Sequence, residues 1–331
     1  MAMADMVIDQ ERAIHRSSGF RVARLFAGAT VPVLAVVAAI LAIWYAACVP
    51  MNIHGTVNLA RVHGFEAVPA SRGERRDIGA FALVSRNPAA IPFVWSEEKP
   101  RLPAPHQVGA EIWRTVALTA PNDRRGLVYH AWTTLSATAL GFAIGIGLGV
   151  ALAIGIVHNR AMDLSVMPWA IASQTIPILA IAPMVIVVFA SVGLTGLLPK
   201  AFIAAYLSFF PVVVGMVKGL RSPDAMQLDL LRTYNASAFQ VLMRLRLPAS
   251  MPYLFTSLKI GAAASLVGTI VGELPTGGAG LGARLLAGSY YGQTIQIWSA
   301  LFVAAFLAAL LMAVIGAVQG VTLRRMGMVQ G

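Results

Sequence analysis

The sequence predicts an all-α membrane protein with six transmembrane helices. Of its 331 residues, 58% are hydrophobic and only 12% are charged, which is about half the charged fraction of a soluble domain. Six long apolar runs lie at about residues 28–49, 133–157, 167–191, 198–218, 253–273 and 295–320. Each has the roughly 20 residues that a helix needs to cross a bilayer, and none shows the apolar–polar alternation of a transmembrane β-strand.

The first run, 28–49, follows a tail at residues 1–27 that contains four arginines. A cleaved export signal has an apolar core of about 7–15 residues, and this run has 22. Tyr45, three residues before the single cysteine Cys48, fits a lipoprotein cleavage site poorly. We therefore expect an uncleaved first helix. One cysteine also excludes an intramolecular disulfide and a thiolate cluster for a metal.

The segment at residues 50–130 is the longest stretch between apolar runs, and we expect it outside the cell membrane. Its part 51–101 is rich in Pro and Gly and is compatible with either a small ordered cap or a loose loop. Residues 105–118 predict a short amphipathic helix near the membrane surface. A five-helix core at 131–323 and a second tail at 324–331 follow.

Basic residues indicate the orientation. Under six spans, the N-terminal arginines, Arg160, the loop after the fourth run and Arg324–Arg325 share one side. The positive-inside rule assigns that side to the cytoplasm and places both termini there. The net charge of +11 is scattered between apolar blocks without a basic stripe of interleaved aromatics. We therefore expect contact with membrane lipid and no nucleic acid partner.

Small residues and prolines predict how the spans pack. Gly141, Gly145 and Gly149 form one stripe on the second run, where a neighbouring helix can approach closely. Prolines, which bend helices, cluster in the third and fourth runs and predict bent helices that line a cavity. These prolines are Pro168, Pro177, Pro183 and Pro211.

Polar residues within the spans are few. Lys200, Lys259 and Glu273 lie near predicted ends, so their side chains are expected to reach the membrane interface. The sequence shows no chain of carboxylates or histidines in mid-span, as a proton-driven carrier would need. Interhelical hydrogen bonding is the more common role of polar residues in such spans. Candidates for the translocation path are Gln174, Thr175, Pro177, Ser208, Thr269 and Glu273.

The basic loop at 221–252 predicts a helical hairpin. Ser222-Pro223 is typical of a helix start, and Asn235 suits a left-handed turn at its end. A second short helix is expected from Ala236 or Ser237 to Leu247-Pro248. Apolar contacts within the hairpin are expected from Leu228, Leu230, Leu231, Phe239 and Leu242. Taken alone, such a loop favours contact with anionic lipid over docking to a protein.

This loop resembles the coupling loop of bacterial ATP-binding-cassette (ABC) importer permeases, where Glu-Ala-Ala, three residues and Gly precede Ile-x-Leu-Pro. Asp replaces Glu, two leucines replace the alanines, and Asn replaces Gly, while the spacing is kept. The resemblance implies ATPase coupling through Asp229, Leu230, Leu231, Asn235, Leu247 and Pro248.

Further segments are similar to the nitrate/sulfonate/taurine branch of that family. They are the Pro-x-x-Ala-x-x-Pro at 177–183, Phe-Pro at 210–211, Glu273 followed by Gly-Leu-Gly at 280–282, and Leu-Pro-x-Pro at 102–105. The resemblance covers about residues 100–325, so residues 50–100 are expected to be an insertion.

The resemblance implies a type I ABC importer permease fold and a transport subunit that is not an enzyme. The chain lacks a Gly-x-x-x-x-Gly-Lys loop for phosphates, so ATP and Mg are expected on a separate ATPase, present in two copies. A second permease chain forming a homodimer, an external solute-binding protein and the bacterial inner membrane are implied as well. The implied solute is small and polar, either nitrate-, sulfonate- or taurine-like or a pyrimidine-type precursor.

Two other functions stay open at this point. An ion-coupled secondary carrier predicts internal repeats and an ionisable residue near the membrane midplane. A non-transport membrane protein predicts only that the 221–252 loop binds lipid.

Overall fold

The computed structural model describes residues 31–328. The predicted tail at 1–27, the first three residues of the predicted first span and residues 329–331 lie outside this range. Within it the regular structure is helical throughout. The chain divides into two compact units, Met1–Gln107 and Val108–Gly331.

The first unit is built on helix α1, Val31–Asn58. Its large apolar side chains up to Ile43 are exposed, as on a helix that faces lipid. The helix continues past the predicted end at Val49 because Ile53 and Val57, four residues apart, keep its inner face apolar and fully buried.

The rest of the first unit is an ordered cap, so the loose-loop alternative for 51–101 is wrong. Its short helices are α2 (Arg72–Asp77), α3 (Ala80–Arg86) and α4 (Ile91–Val94). Asn52 fixes the returning chain, since its amide donates to the Leu102 carbonyl (2.8 Å) and accepts from the Leu102 N–H (2.9 Å). The core that these helices share with α1 consists of Cys48, Ile53, Val57, Leu83, Ala90, Val94 and Ala104.

The second unit contains most of the long helices. Helix α5, Pro105–Ala117, confirms the short helix predicted at 105–118. The boundary between the two units falls within this helix. The long apolar helices are α6 (Leu127–His158), α9 (Leu197–Leu220), α12 (Leu247–Glu273) and α14 (Thr294–Arg325). Shorter helices are α7 (Arg160–Ser173), α8 (Ile178–Ser191), α10 (Ala225–Thr233), α11 (Ala238–Val241) and α13 (Leu281–Tyr290).

The third predicted span is two helices rather than one. The chain turns by 99° between α7 and α8, so the bend predicted from the prolines of this run is confirmed, and the bend divides the run into two helices. Pro177 immediately precedes α8, and a proline disfavours the helical conformation of the residue before it. Pro168 and Pro183 lie inside α7 and α8 without ending either helix. If the bent pair counts as one span, the described chain has six helical spans.

Helices α6, α9 and α12 form the centre of the second unit. A Cβ on Gly141 would lie 2.4 Å from the Ala201 carbonyl oxygen, and one on Gly145 would lie 2.2 Å from the Ser208 hydroxyl. The glycine stripe therefore permits a separation between α6 and α9 that no other residue type allows, which confirms the predicted close packing.

Candidate functional site

The predicted hairpin begins at α10. Asp224, rather than Ser222, occupies the position before the helix, and its N–H donates to the Gln227 side chain (3.3 Å). Pro223 therefore precedes the cap instead of opening the helix. The helix starts here because the backbone of Asp224 is extended (φ −65°, ψ 151°). The Gln227 side chain also accepts from the Asp224 N–H, a backbone group that the first turn of a helix otherwise leaves without a partner.

Helix α10 ends at Asn235 in the predicted left-handed turn. Asn235 has φ +52° and is the one residue other than glycine with positive φ within 31–328. Its N–H donates to the Arg232 carbonyl (2.9 Å), and the Ala236 N–H donates to the Leu231 carbonyl (3.0 Å). This is the hydrogen-bond pattern of a Schellman motif, in which the residue at Asn235 must be left-handed.

The second helix does not end at Leu247-Pro248 as predicted. Ser237 caps α11, and a π turn at Leu242–Arg246 joins α11 directly to α12. Pro248 lies in the first turn of α12, directly after the π turn. The hairpin therefore leads into a membrane span without interruption.

The apolar side chains of the hairpin are mostly turned outward. Helix α10 buries none of its residues, and Leu230 is 57% exposed. Met226, Leu230 and Tyr234 are spaced by four residues, so they form one exposed apolar face. The prediction of internal contacts is wrong for Leu230 and also for Phe239, which is exposed as well. The short helices share too little surface to cover these side chains.

Polar contacts attach the hairpin to the rest of the second unit. Arg246 donates to the carbonyl of Leu220, the last residue of α9 (2.8 Å). Arg221 pairs with Asp163 of α7 (2.9 Å). Leu242 is buried in the apolar core between α6 and α9, and Leu247 packs against that core. The backbone of the hairpin is thus fixed at its base, while Met226, Leu230 and Tyr234 at its tip are exposed.

The far ends of α6 and α12 hold a second group of polar residues. Glu273 is fully buried, so the prediction that it reaches the membrane interface is wrong. Its carboxylate accepts from the Thr134 hydroxyl (2.8 Å) and from the Gly282 N–H (2.8 Å). The Thr134 hydroxyl oxygen also accepts from the Leu281 N–H (2.9 Å). These bonds replace the solvent that Glu273 has lost.

Lys200 and His130 bind the loop just before α13, residues 274–280. Lys200 is also buried, contrary to prediction, and its ammonium donates to the Ala279 carbonyl (2.7 Å). His130 Nδ1 accepts from the Gly280 N–H (3.0 Å), and Nε2 donates to the Arg124 carbonyl (2.8 Å). Gly280 has φ +137°, a conformation open to glycine. The loop is thus bonded to both α6 and α9.

His130 and Thr134 were not singled out from the sequence. The available signal was their spacing of four residues at the start of a long apolar helix, which puts two polar side chains on one face. Thr138 continues this row and donates to the Thr269 hydroxyl of α12 (2.9 Å).

The structure separates the predicted path residues into two groups. Gln174, Thr175 and Pro177 lie at the bend between α7 and α8, where they are half-buried or exposed. At this bend the Tyr206 hydroxyl of α9 donates to the Ser173 carbonyl. The other group is fully buried between helices of this chain and consists of Ser208, Thr269 and Glu273.

Two cavities lie in the second unit, and none of the six predicted path residues lines either of them. One, of about 440 Å³, lies between α6, α8, α9 and the 274–280 loop and has Thr133, Thr195 and Lys200 among its lining residues. The other, of about 580 Å³, lies between α9 and α12 and includes Pro211 and Lys218. Both walls are mainly apolar.

An ion pair joins α5 to α13. Arg284 Nη2 lies 3.8 Å from Glu111 Oε1. Burial lowers the pKa of Arg284, and the charge of Glu111 opposes that effect. An arginine keeps its charge under such conditions, so Arg284 is occupied by a carboxylate instead of being a free external cation.

Comparison with known proteins places these features in a family. Residues 145–328 match the binding-protein-dependent transport system inner membrane component family. A riboflavin transport system permease protein of Chloroflexus aurantiacus is 34% identical over 185 residues, which are 56% of this chain and 65% of the relative.

Two further relatives differ in the solutes that their names state. A formylaminopyrimidine transport permease protein of Halalkalibacterium halodurans is 29% identical over 55% of this chain and 68% of its own length. A nitrate import permease protein of Synechocystis is 25% identical over 59% of this chain and 72% of its own length. The chain thus matches about two thirds of each relative. It belongs to the binding-protein-dependent transport system inner membrane components, the permeases of ABC transporters.

Proposed function

We propose that this chain is the membrane-spanning subunit of an ATP-driven importer and that its hairpin at 221–252 couples to a separate ATPase. The observation that carries the proposal is the exposed apolar face of Met226, Leu230 and Tyr234 on a helix capped at both ends. Such a face is suited to a groove on a partner protein. Asp229 pairs with Arg232 (3.1 Å) beside this face, where both charges can fix the register.

Force applied to the hairpin has a direct route to the spans. The second half of the hairpin is continuous with α12, and Arg246 is bonded to the end of α9. Closure of two ATPases would therefore shift α9 and α12 together as a rigid body. At their other ends, α9 and α12 carry Lys200, which binds Ala279 of the 274–280 loop, and Glu273, which binds Gly282 at the start of α13. We infer that this loop moves with them during alternating access.

The complete assembly would contain two copies of this chain, two ATPases that bind ATP and Mg, and an external solute-binding protein. The exposed bend with Gln174, Thr175 and Pro177 is suited to line a path between two copies. The buried residues Ser208, Thr269 and Glu273 would instead support the helices that form it. Both termini would be cytoplasmic in the bacterial inner membrane, by the distribution of basic residues.

The solute is proposed to be an uncharged heteroaromatic molecule of the flavin or pyrimidine kind rather than nitrate, sulfonate or taurine. Lys200 is the cation that lines the 440 Å³ cavity, but its ammonium is already bonded to Ala279. The bend offers an amide and a hydroxyl, from Gln174 and Thr175. The amide and hydroxyl do not line this cavity, and they would meet the solute on the path between two copies. Neutral groups there and the apolar walls of the cavity fit a flat, neutral solute better than an anion.

Uptake by proteoliposomes that contain the chain, its ATPase and its binding protein tests the whole proposal. We expect riboflavin or formylaminopyrimidine to accumulate only with ATP inside, and nitrate and taurine not to accumulate. ATP-dependent uptake of nitrate would overturn the solute class but not the coupling. Accumulation driven by an ion gradient without ATP would instead favour a secondary carrier.

A variant of the hairpin separates coupling from folding in the same assay. Leu230→Asp should abolish ATP-driven uptake, because it places a charge in the apolar face without disturbing a buried contact. Val62→Asp, on an apolar residue of the first unit that is also exposed, should leave uptake unchanged. Full uptake by Leu230→Asp would contradict the assignment of the hairpin.

A further inference from the structure

The cap in the first unit contains a pocket rich in arginine. This arginine pocket has a volume of about 380 Å³ and is lined by His54, Asn58, Arg72, Gly73, Arg75, Arg76 and Arg101. All of these residues belong to the segment that has no counterpart in the family match, which begins at residue 145. The pocket therefore requires an explanation apart from the transport core.

Arg75 is the centre of the pocket. It is only 6% exposed, and one of its terminal nitrogens donates to the carbonyls of Pro69 (3.1 Å) and Ala70 (3.3 Å). Its Nε is buried and has no hydrogen-bond partner. A buried cationic N–H without a partner is unfavourable, so this donor indicates an acceptor that comes from outside the chain.

Carboxylates do not neutralise the arginine pocket. Within the described range, none of its four arginines has a carboxylate oxygen within 4.0 Å; the ion pairs found there are all in the second unit. Glu97 is an acidic group that interacts with the pocket, because the charge of Arg101 lowers its pKa, although burial raises that pKa by more. The Glu97 carboxylate accepts from the Thr56 hydroxyl (3.2 Å).

The length of α1 beyond the apolar run predicts that the pocket lies at the level of lipid headgroups. His54 and Asn58 are four residues apart at the end of α1, so they share one face. The apolar run ends at Val49, and a helix rises about 1.5 Å per residue. His54 is therefore about 7 Å beyond the hydrocarbon layer, and polar headgroups occupy roughly this depth on each side of the bilayer.

We propose that the arginine pocket binds a phosphate group. Guanidinium groups match the oxygens of phosphate in charge and in planar, paired hydrogen bonds, and four of them exceed what a single carboxylate can satisfy. The phosphate belongs either to an anionic phospholipid headgroup or to a soluble phosphate compound. Either source would supply the acceptor that Arg75 lacks. A phospholipid headgroup would attach the cap to the membrane surface, whereas a soluble phosphate compound would bind to the cap as a free ligand.

Two measurements on the full chain distinguish these sources. In the first, the chain is released from nanodiscs that contain phosphatidylglycerol and phosphatidylcholine, and native mass spectrometry compares how many molecules of each lipid stay bound. Thermal unfolding in detergent with inorganic phosphate, against chloride at equal ionic strength, reports binding of soluble phosphate. Retention of phosphatidylglycerol alone assigns the headgroup, whereas a shift with inorganic phosphate assigns a soluble ligand. Either result supports the site.

Variants at the rim keep the test independent of folding. Arg72→Gln and Arg76→Gln alter exposed side chains, and each should weaken binding about tenfold, as expected for one charge-assisted hydrogen bond. Arg75→Gln should abolish it. Arg86→Gln, on an exposed arginine of α3 outside the pocket, is the matched control and should have no effect.

Two outcomes would overturn the proposal. One is equal retention of both lipids together with no thermal shift in phosphate. The other is equal weakening by Arg86→Gln and by the pocket variants, which would show a general effect of positive charge.

Discussion

The interior of the second unit and the tip of its hairpin are built in opposite ways. Along α6, α9 and α12, small residues bring backbones together, and each buried polar group that we describe has a partner, as for Glu273 with Thr134 and Gly282. Helix α10 buries no side chain, and its stability comes from its caps and from Asn235.

This difference indicates which parts can change without loss of the fold. A substitution in the interior changes packing on several helices, so it should act on stability first. A substituted side chain on the exposed face of α10 contacts solvent in the isolated chain, so the substitution should change the binding of a partner rather than stability. Stability and coupling therefore depend on different residues. These residues belong to one continuous structure, because α12 is part of the packed interior and also continues directly from the hairpin.

The largest effect is expected at Gly141. Gly141→Ala would bring a Cβ to 2.4 Å from a backbone oxygen of α9, and we expect a loss of about 3 kcal/mol of stability from overpacking. Gly147→Ala, on the same helix with no atom within 4 Å of the new Cβ, is the control and should be neutral or slightly stabilising. Thermal unfolding in detergent measures both. Equal stability of the two variants would remove the basis for calling α6–α9 a close contact.

The next effect is expected at Glu273. Glu273→Ala removes the acceptor for the Thr134 hydroxyl and the Gly282 N–H, so we expect a loss of about 2–3 kcal/mol from buried groups left without partners. Thr256→Ala on the same helix removes only an exposed hydroxyl bonded to its own helix, and should cost little. Hydrogen exchange at Leu281 and Gly282 should rise in the first variant alone. Unchanged protection there would show that the carboxylate does not hold the loop.

A smaller effect is expected at Asn235. Asn235→Val requires a β-branched residue at φ +52°, which costs about 1–2 kcal/mol, and the cost should appear as faster proteolysis of the hairpin. Asn235→Gly accepts the same backbone conformation and should behave like the wild type. Similar cleavage rates for Val and Gly would mean that the turn is not left-handed in solution.

The smallest effect on stability is expected on the face of α10. Met226→Gln exposes no new cavity, since this side chain is exposed already, and we expect a change within about 0.5 kcal/mol. Thermal unfolding of the isolated chain checks this. A larger loss would show that the face is covered within the chain and would end the contrast with the interior.

The sequence predicts the features that depend on local chemistry. The left-handed turn followed from Asn235 and its spacing, and the close packing of α6 followed from Gly141, Gly145 and Gly149. Each depends on the backbone preference or size of a single residue type, which the sequence shows directly.

Features that depend on how distant segments of the chain fold back onto each other were not fully predicted. Glu273 and Lys200 lie near the ends of apolar runs, so their burial could not be inferred before the structure showed Gly282 of α13 bound to Glu273 and Ala279 bound to Lys200. The bend between α7 and α8 was predicted from its prolines, but its angle of 99° was not, because it exceeds what a proline alone requires. The cap around Arg75 is held by contacts distant in sequence and lacks a clear periodic pattern.

The affinity of the ATPase for the chain in nanodiscs tests the central claim most directly. We predict that Leu230→Asp lowers this affinity at least about tenfold, the equivalent of about 1.4 kcal/mol, while the thermal unfolding of the isolated chain is unchanged. Val62→Asp should leave both values at the wild-type level. Wild-type affinity in Leu230→Asp would contradict the claim that the exposed face of α10 binds the ATPase.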